Sequence, residues 1–329
     1  MEVLVLSVKV AIKIFQYSII ILFLHYMFKI NLKKQKIQSQ VNKLTNVYQE
    51  KYLNGNSTGL GDFIRGSIFL LQYCKLYNIQ CEISLKNHNI YRFLNNYDND
   101  SNTPDLNIIK NMYINIKSFN IVNDEITYNL RTQEESLNFF NFYIKSIKYT
   151  SINNNLNMNA HFFPLYENIL FEHKEYIKKI FEPNDTIKKI VYSALSDMNL
   201  MIKKYKIIHI RCGDKELIEN IIDTTIHDKI LNVLNDYVDD NILIISDSSK
   251  IKEKIKIKYP QINIFKQNIQ HIGEGVQNND DSYISLLVDL LFISLSNDVL
   301  SLSVLNHGSG FSEWVSKMND IPYKCLYIK

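Results

Sequence analysis

From about residue 167 onward, strand-length apolar runs alternate with helix-length segments, and this alternation restricts the fold more than any other feature. The runs "YKIIHI", "NILIISDS", "INIF", "DVLSLS" and "YKCLYI" read as strands. Between them lie "LIENIIDTTIHDKILNVLNDY", "SKIKEKIKIKYP", "SYISLLVDLLFISLS" and "SGFSEWVSKM", which read as helices. Strands separated by a helix each time are joined by crossovers, so the expected sheet is parallel and doubly wound. Two helices precede it, "ENILFEHKEYIKKIF" and "EPNDTIKKIVYSAL", the second opened by Pro183 with Asn184 or Asp185 as cap. An earlier segment, "NGNSTGLGDFIRGSIFLLQYCKLYNIQCEISL", reads as a glycine-containing turn, a helix over 63–77 and a strand around 81–85. Residues 86–151 are Asn-rich, with strand-like pieces "MYINI" and "EITYNL".

In a doubly wound sheet, ligands bind at the carboxyl ends of the strands. Polar clusters stand at three such ends, "HIRCGDKE", "SDSS" and "NHGSGFS", and all three are expected on one rim. Arg211 lies one residue past its buried run, where a guanidinium suits a pair of phosphate oxygens. Ser309, Gly310 and Phe311 open a helix after a strand, and a helix start offers free N–H groups and partial positive charge. Together they form a candidate diphosphate clamp; the alternative is an Arg211–Asp214 pair closing a turn beside a plain helix cap. Gly59 and Gly61 in "STGLGDFIRG" mark either close backbone approach to a ligand or an ordinary turn, without the Gly-Lys-Ser/Thr of a Walker loop. "HIGEG", 271–275, reads as a loop. Asp289 falls mid-helix among apolar residues, so it either serves a ligand or meets a buried donor.

A chain of 329 residues is expected to form two domains, and 46% hydrophobic content fills their cores. A net charge of +3, with no basic stripe interleaved with aromatics, argues against nucleic acid. The four cysteines show no metal spacing; Cys74 and Cys81 pair in a lumenal chain and are otherwise buried thiols. Residues 14–28 are uncharged between Lys13 and Lys29, roughly 22 Å of helix at about 1.5 Å per residue. With snorkelling lysines this segment is expected to be a single-pass membrane anchor, the alternative being a packed N-terminal helix. Lys29, Lys33, Lys34 and Lys36 outnumber Lys9 and Lys13, which leaves its orientation open, and sequons at Asn56, Asn99 and Asn184 fit a secretory chain. Residues 31–50 read as a polar stem, giving the expected division: 1–50 anchor and stem, 51–200 an N-terminal α/β domain on the acceptor side, and 201–329 a nucleotide-sugar domain.

The C-terminal half resembles the fucosyltransferase superfamily of protein O-fucosyltransferases, α1,6-fucosyltransferases and bacterial nodulation-factor fucosyltransferases. "FEPNDTIKKIV", "HIRCGDKE", "LIISDSSKIKEKIKIKYPQINIF", "LVDLLFIS" and "NHGSGFSEW" carry the resemblance in that order over roughly 176–320, with "STGLGDFIRGSIFLLQYC" matching the glycine-rich opening. The resemblance implies two facing Rossmann-like domains, the GT-B arrangement, and inverting, metal-independent transfer from GDP-fucose to a glycan or protein hydroxyl. No cofactor is implied beyond that donor. By the same resemblance His209 and Asp289 read guanine, Arg211 holds the β-phosphate, and Ser309, Gly310 and Phe311 complete the phosphate contacts. Asp214 and Lys215 support the loop, and Glu219 stands as general base. Where relatives carry a second Arg after the first, this chain has Cys212, and "SDSS" has one acidic residue where some have two. A GT-B protein without activity, or one using another nucleotide sugar, is the remaining alternative.

Overall fold

The computed structural model describes residues 43–50, 59–97, 112–115, 118–121, 126–128, 138, 140–141, 144, 155–158, 160, 163–213, 223–237, 239, 241–265, 279–306 and 308–328. Two parallel sheets and an antiparallel meander emerge. The larger sheet comes from the alternating segment: β7 (Lys206–Arg211), β8 (Ile242–Ser246), β9 (Asn263–Ile264), β10 (Asp298–Ser303) and β11 (Tyr323–Tyr327). Its order is β11-β10-β7-β8-β9, with every pair parallel. The chain leaves β7 towards β8 and β10 towards β11, in opposite directions, so the topological switch lies between β7 and β10.

The smaller sheet, in order β2-β1-β6, is also parallel, built from β1 (Lys43–Gln49), β2 (Gln80–Asn87) and β6 (Asn155–Met158). The meander is β3 (Met112–Asn115), β4 (Ser118–Ile121) and β5 (Ile126–Tyr128). β1 corrects the sequence reading, since its seven residues were expected in the stem. Six of them are buried. Asn46 donates to Ser67 Oγ at 2.8 Å and accepts from the Ala160 N–H at 2.9 Å, so its polar side chain is satisfied inside the fold.

The helices are α1 (Leu60–Tyr77), α2 (Phe171–Ile180), α3 (Asp185–Asp197), α4 (Thr224–Leu234), α5 (Ser249–Lys258), α6 (Asp280–Leu295) and α7 (Gly310–Met318). α1 starts three residues before its expected start; from Gly66 to Cys74 it is buried on every side, while Asp62 and Arg65 are partly exposed. That follows from its position between two cores, and a helix apolar all round belongs in an interior. Phe63, Ile64, Ile68 and Leu71 join the core shared with α3, α6 and α7, while Phe69, Leu70, Tyr73 and Cys74 join a second core with Phe140 and Met158. A third core, of Ile208, Ile210, Ile230, Ile251 and Leu302, covers the other face of the five-stranded sheet. Asn184 caps α3 by accepting from the Ile187 N–H, as expected. All four cysteines are free thiols. Among the described residues no helix is long and apolar enough to cross a membrane; the expected anchor, 14–28, lies outside them.

Candidate functional site

The face of the five-stranded sheet turned towards α6 and α7 changes character along its strands. On β7 the residues of this face are Ile207, His209 and Arg211; on β10 they are Val299, Ser301 and Ser303; on and after β8 they are Leu243, Ile245 and Asp247. Each row begins apolar and ends polar at the carboxyl rim. Register places Ser301 beside His209 and Ser303 beside Arg211.

His209 is buried, and its Nδ1 is hydrogen-bonded to Ser312 Oγ at 2.8 Å. Burial, aided by the Arg211 charge, pushes its pKa down to about 3, so the imidazole is neutral. That bond seats the first turn of α7 over β7, with Phe311 edge-on to His209. Arg211 lies two residues further along the same face, about 7 Å closer to the rim. Arg211 and the start of α7 therefore share one face and one rim.

Asp214, weighed in the sequence as a partner of Arg211, lies outside the described residues, but Arg211 has a partner on the next strand. Its Nη1 donates to Asp247 Oδ2 at 2.7 Å, and Asp247 Oδ1 accepts from the Cys212 N–H at 2.9 Å. The carboxylate at the end of β8 thus fixes the guanidinium at the end of β7. Burial raises the Asp247 pKa, against the opposing pull of Arg211 and the Cys212 and Gly213 N–H groups. Gly213 adopts φ +98°, and a Cβ there would meet Val304 at 2.9 Å, so the turn out of β7 requires glycine.

Gly61 explains why the "STGLGDFIRG" glycines matter. A Cβ on it would lie 2.4 Å from the Phe311 nitrogen, 2.5 Å from the Gly310 carbonyl carbon and 2.7 Å from the Phe311 Cα. The first turns of α1 and α7 are in backbone contact. Neither helix has a side-chain cap, since Gly59 and Ser309 at the two N-cap positions make no such bond. Two positive helix ends therefore converge beside Arg211. Asp62 lies between them, its oxygens 3.8 Å from Cβ positions on Gly59 and Gly310, and it pairs with Arg65 at 2.9 Å. Arg65 in turn stacks 4.2 Å above the Phe163 ring. Among the described residues Asp62 pairs with Arg65 and Asp247 with Arg211, and the helix ends add partial positive charge beside them.

Asp289 is buried in α6, where burial lifts its pKa to about 7 against the attraction of Lys252. Lys252, on α5, is itself buried, which lowers its pKa while Asp289 and then Asp247 oppose that shift. A chain of buried charge, Arg211–Asp247–Lys252–Asp289, runs behind the rim. Sequence reasoning missed Lys252, which looks like one more member of the lysine run "SKIKEKIKIK", and it missed Ser312 and Arg65. Asp214, Lys215 and Glu219, and the 271–275 loop, lie outside the described residues. Among the described residues no group of three His, Cys, Asp or Glu is placed to hold a metal ion.

No protein-family model matches the chain, and no curated protein sequence matches it. Among solved structures, NodZ α-1,6-fucosyltransferase co-crystallised with GDP aligns with 83% of this chain and 91% of its own, at 11% identity and TM-score 0.47. Selenomethionine NodZ from Bradyrhizobium aligns over the same shares at 9% identity and TM-score 0.46. POFUT1 in complex with GDP-fucose aligns with 90% of this chain and 77% of its own, at 13% identity and TM-score 0.32. Likenesses of this size leave the reading of the site to its own geometry.

Proposed function

We propose that this chain is a glycosyltransferase that moves fucose from GDP-fucose to a hydroxyl of a glycan or protein. The observation that carries the reading is the meeting of two uncapped helix starts, at Gly59–Leu60 and Ser309–Gly310, on the rim that bears Arg211. N–H groups and partial positive charge from two adjoining helix starts favour a diphosphate. Its place beside the β7/β10 switch supports a nucleotide site. The guanine and the fucose rest on the sequence resemblance of "HIRCGDKE", "LVDLLFIS" and "NHGSGFSEW".

In this reading the diphosphate lies across the starts of α1 and α7. Arg211, held in place by Asp247, takes the growing charge on the β-phosphate as the bond to the sugar breaks. Positive charge that a divalent cation supplies in other transferases comes here from the guanidinium and the helix ends. His209, bound to Ser312, positions α7, and Asp289 with Lys252 lines the base side. The mechanism is proposed as inverting and metal-independent, in a GT-B arrangement tethered to a membrane through residues 14–28. Calorimetric titration of the full chain with GDP, GDP-fucose, UDP and ADP tests it. GDP and GDP-fucose are expected to bind; a preference for UDP or ADP assigns another donor, and no binding by any of them overturns the transferase reading.

A further inference from the structure

Glu50 is the first residue beyond β1, at the carboxyl end of the smaller sheet's central strand. Its Oε1 accepts from the Tyr283 hydroxyl on α6 and from Asn89 Nδ2 at 3.2 Å. Its Oε2 faces His88 Nε2 at 3.4 Å. His88 Nδ1 accepts the Ile90 N–H at 3.1 Å, so the neutral ring carries its proton on Nε2. That Nε2 is buried and has no hydrogen-bond partner among the described residues. The ring is clamped by Tyr48, stacked at 4.0 Å, and by Tyr283, edge-on at 5.5 Å. Burial holds its pKa near 3, which keeps the ring neutral.

Such an arrangement is over-built for a strand end. The Glu50 side chain is 24% exposed although its Oε2 is buried, and its Oε1 is held by a tyrosine of α6 and an asparagine just beyond β2. It stands at the carboxyl end of β1, the strand before α1, and rings tie it to that helix: Tyr48 stacks on His88 and also meets Phe63 of α1 at 4.5 Å. Asp62 lies at the proposed diphosphate seat itself, but it pairs with Arg65. We infer that Glu50 is the general base of the proposed transfer, oriented by Tyr283 and Asn89. This rests on the transferase reading and adds to it the residue that accepts the proton. The acceptor O–H proton passes to a Glu50 oxygen while the acceptor oxygen bonds the anomeric carbon. The bond from that carbon to the β-phosphate oxygen breaks, its electron pair leaving on the nucleoside diphosphate. Glu219, expected in this role from the sequence, is the competing candidate.

With water as the acceptor, the full chain is assayed for GDP release from GDP-fucose, with GDP affinity measured in parallel. Glu50→Gln preserves shape and the bond from Tyr283; it should lower kcat by about 10²-fold or more. GDP affinity and KM for the donor should stay unchanged, and the ascending limb of the pH–rate profile should disappear. Tyr283→Phe removes a donor from the carboxylate, so the limb should move to higher pH. Each of the following results overturns the inference. Glu50→Gln retains wild-type kcat; it loses GDP binding together with turnover, as a merely structural tie between α6 and β1 would; Glu219→Gln alone abolishes the limb; or wild type binds GDP-fucose yet releases no GDP above background. In that last case the nucleotide seat stands. Wild type that binds no GDP removes the transferase reading and the base with it.

Discussion

Arg211 illustrates how far single residues can be read and where the reading stops. Its position one residue beyond a buried run, hence on the rim, was legible from "YKIIHIR". Its contact with Asp247 was not, because strand order rather than nearness in sequence brings that residue of the next strand beside it. Sequence separation says little about distance across a parallel sheet, because neighbouring strand ends are a whole crossover apart. Lys252 was illegible for a related reason, since a buried lysine and an exposed one look alike within a run. If Arg211 stabilises charge that develops on the β-phosphate, Arg211→Ala should lower kcat by about 10²-fold or more. Arg211→Lys should restore little, because a point charge cannot keep both the Asp247 contact and a forked phosphate contact. Steady-state kinetics on GDP-fucose checks both, and turnover in Arg211→Ala equal to wild type excludes the clamp.

Among elements, α6, α7 and the strands of the larger sheet were readable because each carries the period or the apolar run of its kind. β1 was not. "KLTNVYQ" interleaves Thr45, Asn46 and Gln49 with apolar residues, and nothing in the sequence announces that Ser67 and the Ala160 backbone wait to pair with Asn46. The contact of α1 with α7 gives a sharp test of two glycines that look equivalent. Gly61→Ala must push backbone from backbone, a misfit that should cost about 1–3 kcal/mol and weaken GDP binding by prising the helix starts apart. Gly59 has φ −59°, and a Cβ there would meet nothing closer than 3.8 Å, so Gly59→Ala should leave thermal stability unchanged. Reduced GDP affinity in that stable variant identifies Gly59 as a point of close approach to the ligand. Unfolding curves and GDP titrations of both variants decide the matter.

For the whole molecule, the buried ionisable groups set opposing responses to pH. His88 and His209, one beside each parallel sheet, have pKa values of about 3 in the fold against 6.5 when solvated. Between those values the unfolded chain binds more protons, so stability falls as the pH drops below about 6.5, by about 1.4 kcal/mol per pH unit for each histidine. Asp289 works the other way: its pKa of about 7 lies above the ordinary 3.8, so between them the folded chain holds the extra proton and stability falls as pH rises. Over the shared range, Asp289 cancels about one histidine. Asp289→Asn should therefore lose stability more steeply than wild type on acidification from pH 6.5 to 4. Urea midpoints across that range measure the two slopes, and equal slopes would show that Asp289 does not titrate there.

Trp314 is the only tryptophan in the chain. It lies one turn into α7, nearly buried, with its indole 4.0 Å from a Cβ position on Gly310, Lys317 4.2 Å above its ring and Phe163 edge-on at 6.5 Å. The chain thus carries its own optical probe one helical turn from the proposed diphosphate seat. A dianion arriving at the start of α7 alters the field along that helix, and the indole excited state, being strongly dipolar, should report it as a shift or quench of emission. Occupancy can then be followed at a single wavelength, without label or coupled assay, including the kinetics of donor entry and product departure.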